Sequence, residues 1–532
     1  MSVSLELLAR VSLQAIVSPT ATHIRPVAQD SMTDTKNSSQ PTSGGLKRQL
    51  SLPGLAATGI CSMLGASVYV VPIMIQRNVT GIGSWVLPAF LFAAIPAVLA
   101  ALAYAVLASA MPRAGGSYLY ASRGLHPYLG FVASFSQWFG LSIVIGVIAY
   151  IIVPFIRDIA TALEWQATAA LLETGAVRVS LALAMVWLFV GVNSLGSRFY
   201  ERILIPLMLL MFGLGAIVIV AGFHFDHAAF AESLLASEGR TVPQAAPSAF
   251  DVGTFLSAAA ILFSSFIGFD AIAQAGGEAR NPGRNLPLAI GIAVMTVGSF
   301  YFLFTAAVYH AVPWTFIAEE AMTRDITAPG LFSYLLPDAW AVAIVAGAAI
   351  ALFNDLPAML LAVSRLMFAW AEDGIFPRWI ARVNAKRHTP QTALILSGGM
   401  ASIGILGSHF AGDFFLGIDI MVTSMLVNFL LMCLTVISLP KRNPLLAGQT
   451  RVLTSRPWQL FLATAGVVML TGFLIIHVIK DLGADVDAWY FHSTPVWLIV
   501  MVIASTIYLR EHARLKRSGV DTDGLFKRLP PE

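Results

Sequence analysis

Charge is what this sequence has least of: Asp, Glu, Lys and Arg together make up 11% of its 532 residues, well under half the share usual in a water-soluble protein. A soluble globule is excluded. Cysteine is nearly absent as well. Cys61 and Cys433 both fall inside apolar runs and the segments between the runs have none, so neither a disulfide framework nor a cysteine metal site can be assembled. The ten histidines are scattered and show no HExxH-type spacing. There is no GxxxxGKS or GxxxxGKT phosphate loop and no GxSxG elbow, which removes the machinery for nucleotide-driven pumping and for serine hydrolysis. The net charge of +3 is small and no basic stripe interleaves with aromatics, so nucleic acid is not a partner the sequence supports.

What is present is apolar: 57% of positions, gathered into runs most of which can cross a hydrocarbon layer of ~30 Å. Residues 1–50 are different, rich in Ser, Thr, Pro and Asn from Thr20 onward, and read as a disordered tail. Within it Ser4 to Val17 is weakly apolar but carries Glu6 and Arg10, too short and too charged to span. From Leu52 the runs are Leu52 to Gln76, Trp85 to Ala110, Tyr128 to Ile156, Val179 to Val192, Ile203 to Gly222, Phe255 to Ala275, Leu286 to Val312, Ala339 to Ala369, Thr392 to Gly407, Phe414 to Leu439, Trp458 to Ile479 and Pro495 to Leu509. Twelve spans return the chain to the side on which it began. Counted from Leu46, that side carries twenty-three Lys and Arg, against Arg77, Arg157, Arg178, Arg240, Arg324 and Lys480 on the other. The bias places both termini in the cytoplasm by the positive-inside rule.

A helix in lipid must satisfy its own backbone, so small and polar clusters in mid-span mark places covered by protein or lining a cavity. Two spans have such clusters. The first reads Gly59-Ile60-Cys61-Ser62-Met63-Leu64-Gly65-Ala66-Ser67-Val68-Tyr69, and the sixth reads Phe263-Ser264-Ser265-Phe266-Ile267-Gly268-Phe269-Asp270. One cluster alone would suit close helix packing. Two clusters five spans apart suit inverted repeats with corresponding broken helices around a midplane site. Opening a turn there frees backbone amides for an anionic group and carbonyls for an ammonium. An α-amino acid carries both.

These residues resemble the amino acid permeases of the amino acid-polyamine-organocation superfamily. Leu64 to Tyr69 is similar to the family's first-helix break and Ser264 to Asp270 to its sixth-helix segment. Three further signatures agree: Ala108 to Tyr118, Glu278-Ala279-Arg280-Asn281-Pro282, and Ser364-Arg365 with Glu372-Asp373-Gly374. The resemblance covers about residues 51–440. It implies an all-α membrane protein of twelve spans with a five-plus-five inverted-repeat fold, the repeats being 51–222 and 252–440. Two additional helices over 457–509 and a cytoplasmic tail over 510–532 would follow, in a multi-pass protein of the plasma membrane, the inner membrane in a Gram-negative cell. It implies alternating access, an amino acid as substrate, no catalytic step and no cofactor.

Carried over by position, the resemblance gives the amides following Gly65, those of Ala66 and Ser67, to the substrate carboxylate, and the carbonyls of Met63, Ser264 and Ile267 to its ammonium, with Ser265 and Gly268 completing the site. Ser67 stands where relatives have a second glycine and Ser264 where many have an aromatic gate. That leaves Tyr69, Phe266 and Phe269 as candidate gating aromatics. Glu278 reads as a gate, or as a helix-orienting partner of Arg113 or Arg365.

An acid in mid-span costs ~2.5–3.5 kcal/mol on insertion scales and is a functional candidate by default. Asp270 can relay a proton or hold the broken segment by hydrogen bonds. Asp355, preceded by Asn354, can meet a cation or a basic substrate group. Asp419, near a span end, is expected to be solvated. The fifth span has no lysine between Ile203 and Leu210, which excludes the lysine-based proton coupling of some relatives. Proton coupling through Asp270 or Asp355, sodium coupling and uncoupled exchange stay open, as does an organic-cation exchanger. A membrane-embedded enzyme would need a His or Asp cluster at an interface, and a channel would need repeated filter residues; neither pattern occurs. Glu372 to His388 alternates apolar and basic residues, as an interfacial helix or an ordinary connector would.

Overall fold

The computed structural model describes residues 45–65, 67–244, 249–323, 326–411, 415–486 and 488–531. Twelve of its helices are long and apolar enough to cross a membrane: Leu52–Asn78, Gly83–Ala110, Pro127–Ala162, Gly175–Ser194, Ser197–His224, Val252–Gln274, Pro282–Ala311, Ala339–Glu372, Gln391–Phe410, Leu416–Arg442, Arg456–Leu482 and Ser493–Arg517. They are numbered below as spans one to twelve. This is a multi-pass integral membrane protein, with the twelve spans expected from the apolar runs. Most spans run further than the runs do. Span three continues to Ala162 and span twelve to Arg517, because long basic side chains near a helix end can lie along apolar surface while their heads reach water.

Spans pack against their counterparts five places later: two on seven, three on eight, four on nine, and the first half of one on the end of six. Span five packs instead on one, seven and eight. Spans eleven and twelve sit outside this arrangement. Span eleven lies on two, six and ten, and span twelve on three and ten.

Several features depart from expectation. The tail expected over 1–50 lies outside the described residues as far as 44, but its last residues are packed. Leu50 is buried, and the N–H groups of Gln49 and Leu50 donate to the Glu278 carbonyl at 2.8 and 2.9 Å while Arg280 N–H donates back to Leu50. The segment Glu372 to His388 is a connector with one 3-10 turn, Arg378–Ala381, not an interfacial helix. Helices unseen in the sequence fill the connections: Gly116–Gly124, buried throughout, Gln166–Glu173, His227–Glu238 and Trp314–Thr323. His227–Glu238 is begun by Asp226, whose carboxylate accepts Ala229 N–H at 2.9 Å; that bond pulls its pKa below the ordinary value.

Candidate functional site

Span one is a helix over Leu52–Met63 and again over Ser67–Asn78. Leu64 ends the first half at φ −98°, ψ 68°. Span six is helical over Val252–Leu262, tightens into a 3-10 turn over Phe263–Phe266 and opens at Ile267, whose backbone is extended. It resumes as the short helix Ala271–Gln274. Both clusters singled out in the sequence are therefore breaks. They also touch. Gly268 has φ +131°, a conformation that L side chains rarely adopt, and a Cβ there would strike the Ser62 carbonyl. Only glycine lets the sixth-span break lie on the end of the first half-helix.

Asp355 of span eight closes the other side. A Cβ on Gly65 would overlap the Asp355 carboxylate, so the acid sits directly on the first break. Asp355 is buried and its Oδ1 has no protein partner. Neighbouring Asn354 instead donates to the Cys61 sulfur at 2.9 Å. Of the carbonyls assigned to an ammonium, that of Met63 accepts the Tyr301 hydroxyl at 3.2 Å and that of Ser264 accepts Ile267 N–H at 3.2 Å; each keeps one lone pair. Ser264 is partly exposed, whereas Ser265 is buried with an unpartnered hydroxyl. Ala66 lies outside the described residues, and Ser67 is the first residue of the second half-helix.

The three candidate gating aromatics diverge. Phe266 packs on Phe90 and Tyr301, with ring centroids at 5.1 and 6.4 Å. Phe269 stacks on Phe429 at 4.9 Å and meets Tyr104 edge-on at 5.6 Å. Tyr69 packs edge-on against Phe304 at 5.0 Å. Its hydroxyl lies near Gly215 and Gly347 of spans five and eight.

Asp270 is fully buried and accepts a hydrogen bond from Gln137 of span three. From there a polar chain crosses the interior. Gln274 donates to Gln137 at 3.5 Å and to Ser117 at 2.8 Å; Ser117 and Tyr104 share a bond of 2.7 Å, and Asn428 donates to Tyr104 at 2.7 Å. Oδ1 of Asp270, Oε1 of Gln274 and Oδ1 of Asn428 have no protein partner. Gln137, Gln274, Ser117, Tyr104 and Asn428 are not among the site residues the sequence singles out. A neutral amide inside an apolar run was the available signal.

Glu278 pairs with Arg365, at 2.8 Å to Nε and 2.5 Å to Nη2, and both side chains are 1% exposed. Arg113, the alternative partner, instead donates to the Pro530 carbonyl at 3.3 Å. A second buried pair was not anticipated. Arg123 grips Asp373 through two bonds of 2.6 and 2.8 Å, and Tyr118 donates to the same carboxylate at 2.6 Å. Burial works against the Arg123 charge, but Asp373 outweighs it and holds the guanidinium pKa above its ordinary value. Asp419, expected to be solvated, is half-buried and interacts with Lys480.

Residues 50–504 match the amino acid permease family. The chain belongs to that family. Among its relatives are the methylthioribose transporter of Bacillus subtilis, 24% identical over 497 residues that cover 90% of this chain and 97% of the relative. The branched-chain amino acid permease BcaP of the same organism is 25% identical over 497 residues, 90% of this chain and 96% of the relative. Human cationic amino acid transporter 4 is 27% identical over 371 residues, 66% of this chain, and the match spans only 54% of that longer relative. As an amino acid permease, the chain has at its centre two broken spans, a carboxylate on the first break and a polar chain running from the second.

Proposed function

We propose that this permease is a secondary active transporter that carries an amino acid by alternating access, with the substrate backbone held between the two breaks. The contact of Gly268 with Ser62 and Met63 carries this reading, because it brings freed carbonyls of one half-helix and freed amides of the other around one point. The carboxylate of the substrate would lie at the amides of Ala66 and Ser67, at the positive end of the second half-helix. Its ammonium would take the remaining lone pairs of Met63 and Ser264 and the Ile267 carbonyl, with Ser265, Gly65 and Gly268 shaping the floor. Transport on this scheme needs no covalent step.

Coupling is assigned to protons. Asp270 ends a chain of hydrogen-bonding side chains and is the acid best placed to take up and release one proton per cycle as span six moves. Asp355 with Asn354 is the second candidate. Its position against Gly65 also favours a second reading, exchange of an organic cation or of an amino acid with a basic side chain, whose charge it would meet. The basic bias of the end that carries both termini supports a cytoplasmic location for that end, and the family resemblance supports the plasma membrane.

Uptake into liposomes tests all of this. Purified protein is supplied with labelled neutral, basic and acidic amino acids and with putrescine, in sodium-free buffer, with and without an inward proton gradient. Accumulation of an amino acid class only with the gradient is the expected result. Putrescine uptake alone would replace it with the organic-cation reading. No uptake and no exchange from preloaded vesicles by folded protein would overturn both.

A further inference from the structure

Away from the breaks, at the end of the bundle that carries both termini, the segment leading into span one, the start of span five and the segment after span six border an open cavity of about 540 Å³, lined by Gln49, Ser51, Arg198, Glu201, Arg202, Ile205, Pro206 and Arg280. Three of these are arginines. Arg198 and Arg202 stand one turn apart on span five, within reach of each other across the helix surface, and Arg280 comes from the loop that follows span six. Their guanidiniums make no hydrogen bond or ion pair with any described residue. The one acid in the cavity does not neutralise them. Both oxygens of Glu201 are turned to span one, where Oε2 accepts Ser51 N–H at 3.3 Å and Oε1 accepts the Ser51 hydroxyl.

Like charges one turn apart on a helix repel, and these lie in the first two turns of span five, where the helix dipole adds further positive potential. An anion between them would relieve both effects. Guanidinium is the side chain best shaped for a phosphate, through paired N–H donors. The other wall of the cavity is apolar. Ile205 and Pro206 follow Arg202 along the same face, and Leu209 beyond them is 62% exposed on the outer surface of span five, the least buried of the twelve spans. A charged recess that opens onto a lipid-facing apolar strip matches an amphiphile rather than a small ion.

We infer that this recess binds the phosphate of an anionic phospholipid, with an acyl chain laid along Ile205, Pro206 and Leu209. The recess lies on the cytoplasmic side in the orientation proposed above, the leaflet in which such lipids attract basic residues. On the alternating-access reading proposed above, two of its walls adjoin the broken spans that rearrange. Gln49 and Arg280 belong to the strand-like junction that Glu278 anchors, so a bound lipid would brace span one against the segment after span six.

The test uses the full-length chain in mild detergent after lipid removal, with retained lipid counted by native mass spectrometry and thermal stability followed by size exclusion. Dioleoylphosphatidylglycerol, dioleoylphosphatidylcholine and soluble glycerol 3-phosphate are the probes. Dioleoylphosphatidylglycerol is expected to be retained and to raise the melting temperature, and dioleoylphosphatidylcholine is not. Each of Arg198→Gln, Arg202→Gln and Arg280→Gln should weaken retention about fivefold, while Lys at the same positions should keep most of it. Should one of these variants fail to fold, the other two and the Lys variants still decide the test. Equal retention of the two lipids by the native chain, or retention unchanged in the Gln variants, would overturn the proposal. Stabilisation by glycerol 3-phosphate with the same arginine dependence would uphold phosphate recognition and overturn the lipid as its source.

Discussion

Gly65 and Gly268 show how single hydrogens can hold a transport site open. The first is needed because the Asp355 carboxylate occupies the space a side chain would take, the second because its backbone has φ +131° and rests on the Ser62 carbonyl. Gly65→Val is expected to leave a folded, monodisperse protein at near-native yield while lowering initial uptake at least about tenfold, equivalent to about 1.4 kcal/mol. Fluorescence-detected size exclusion and vesicle uptake, run on the same preparations, separate these effects, and native uptake by Gly65→Val would show that the first break does not hold substrate. Asp270 calls for a gentler change. Asp270→Asn keeps the shape that Gln137 packs against but cannot load and release a proton. Native protein should take up substrate faster as the outside is acidified from neutral toward pH 5.5, because the proton-loaded carrier is the one that turns inward. In Asp270→Asn the profile should be flat, with exchange between equal concentrations retained. A pH profile of native shape in Asp270→Asn would move the coupling to Asp355.

At the scale of elements, the breaks hold their places because ion pairs fix what lies beside them. Glu278 follows the short helix that ends span six, and Arg365 projects from span eight; with 1% exposure on each side chain, neither can be released to water without its partner. Removing one member of such a pair leaves a lone charge in a low dielectric, at a cost of roughly 3–5 kcal/mol, while removing both often costs little. Glu278→Ala is therefore expected to melt well below the native protein, and Glu278→Ala with Arg365→Met to recover most of the loss. If the double variant melts as low as the single one, the pair acts through its other contacts, such as the Arg365 bond to Ser364 at 2.8 Å. This level of structure was half legible in the sequence. The breaks and the spans are local features, set by apolar length and by glycine and serine in mid-run. Which charge Glu278 would meet was narrowed to Arg113 or Arg365. The choice followed from the end of span six packing on span eight, a long-range contact that local sequence does not encode. Tyr69 illustrates the same limit: its place beside the first break is local, whereas its edge-on contact with Phe304 of span seven is long-range and not legible in the sequence. The polar chain from Asp270 to Asn428 assembles side chains from five separate segments, and no one of them is unusual by itself.

For the molecule as a whole, the residues beyond span twelve act as a strap across the end that carries both termini. After Arg517 the chain turns back, and three of its carbonyls are taken by residues far away in sequence. Arg528 accepts from Arg123 at 3.2 Å, Pro530 from Arg113 at 3.3 Å, and Lys527 from Asn443 at 2.9 Å. Phe526 is buried and lies under the Arg123 guanidinium, 5.4 Å from its centre, and the Arg514 side chain donates to the Gly374 carbonyl at 3.1 Å. A tail expected only to be cytoplasmic thus ties together the connections after spans two and ten, while Arg514 at the end of span twelve holds the one after span eight. The arginine contacts are charge-assisted, worth about 1.5–3 kcal/mol each where buried, and burial of Phe526 adds about 1.5–3 kcal/mol. Deleting residues 519–532 should leave all twelve spans assembled, since none depends on the tail for its own backbone bonds. It should loosen this end selectively. Hydrogen exchange is the measurement that distinguishes the two: amides in 111–125 and 370–376 should exchange at least about tenfold faster in the truncated chain, while those of spans one, six and seven in mid-membrane should not change. A uniform rise across all spans would mean that the tail supports the bundle as a whole, and no change in either region would mean that Asp373 and Tyr118 alone suffice to hold Arg123 in place.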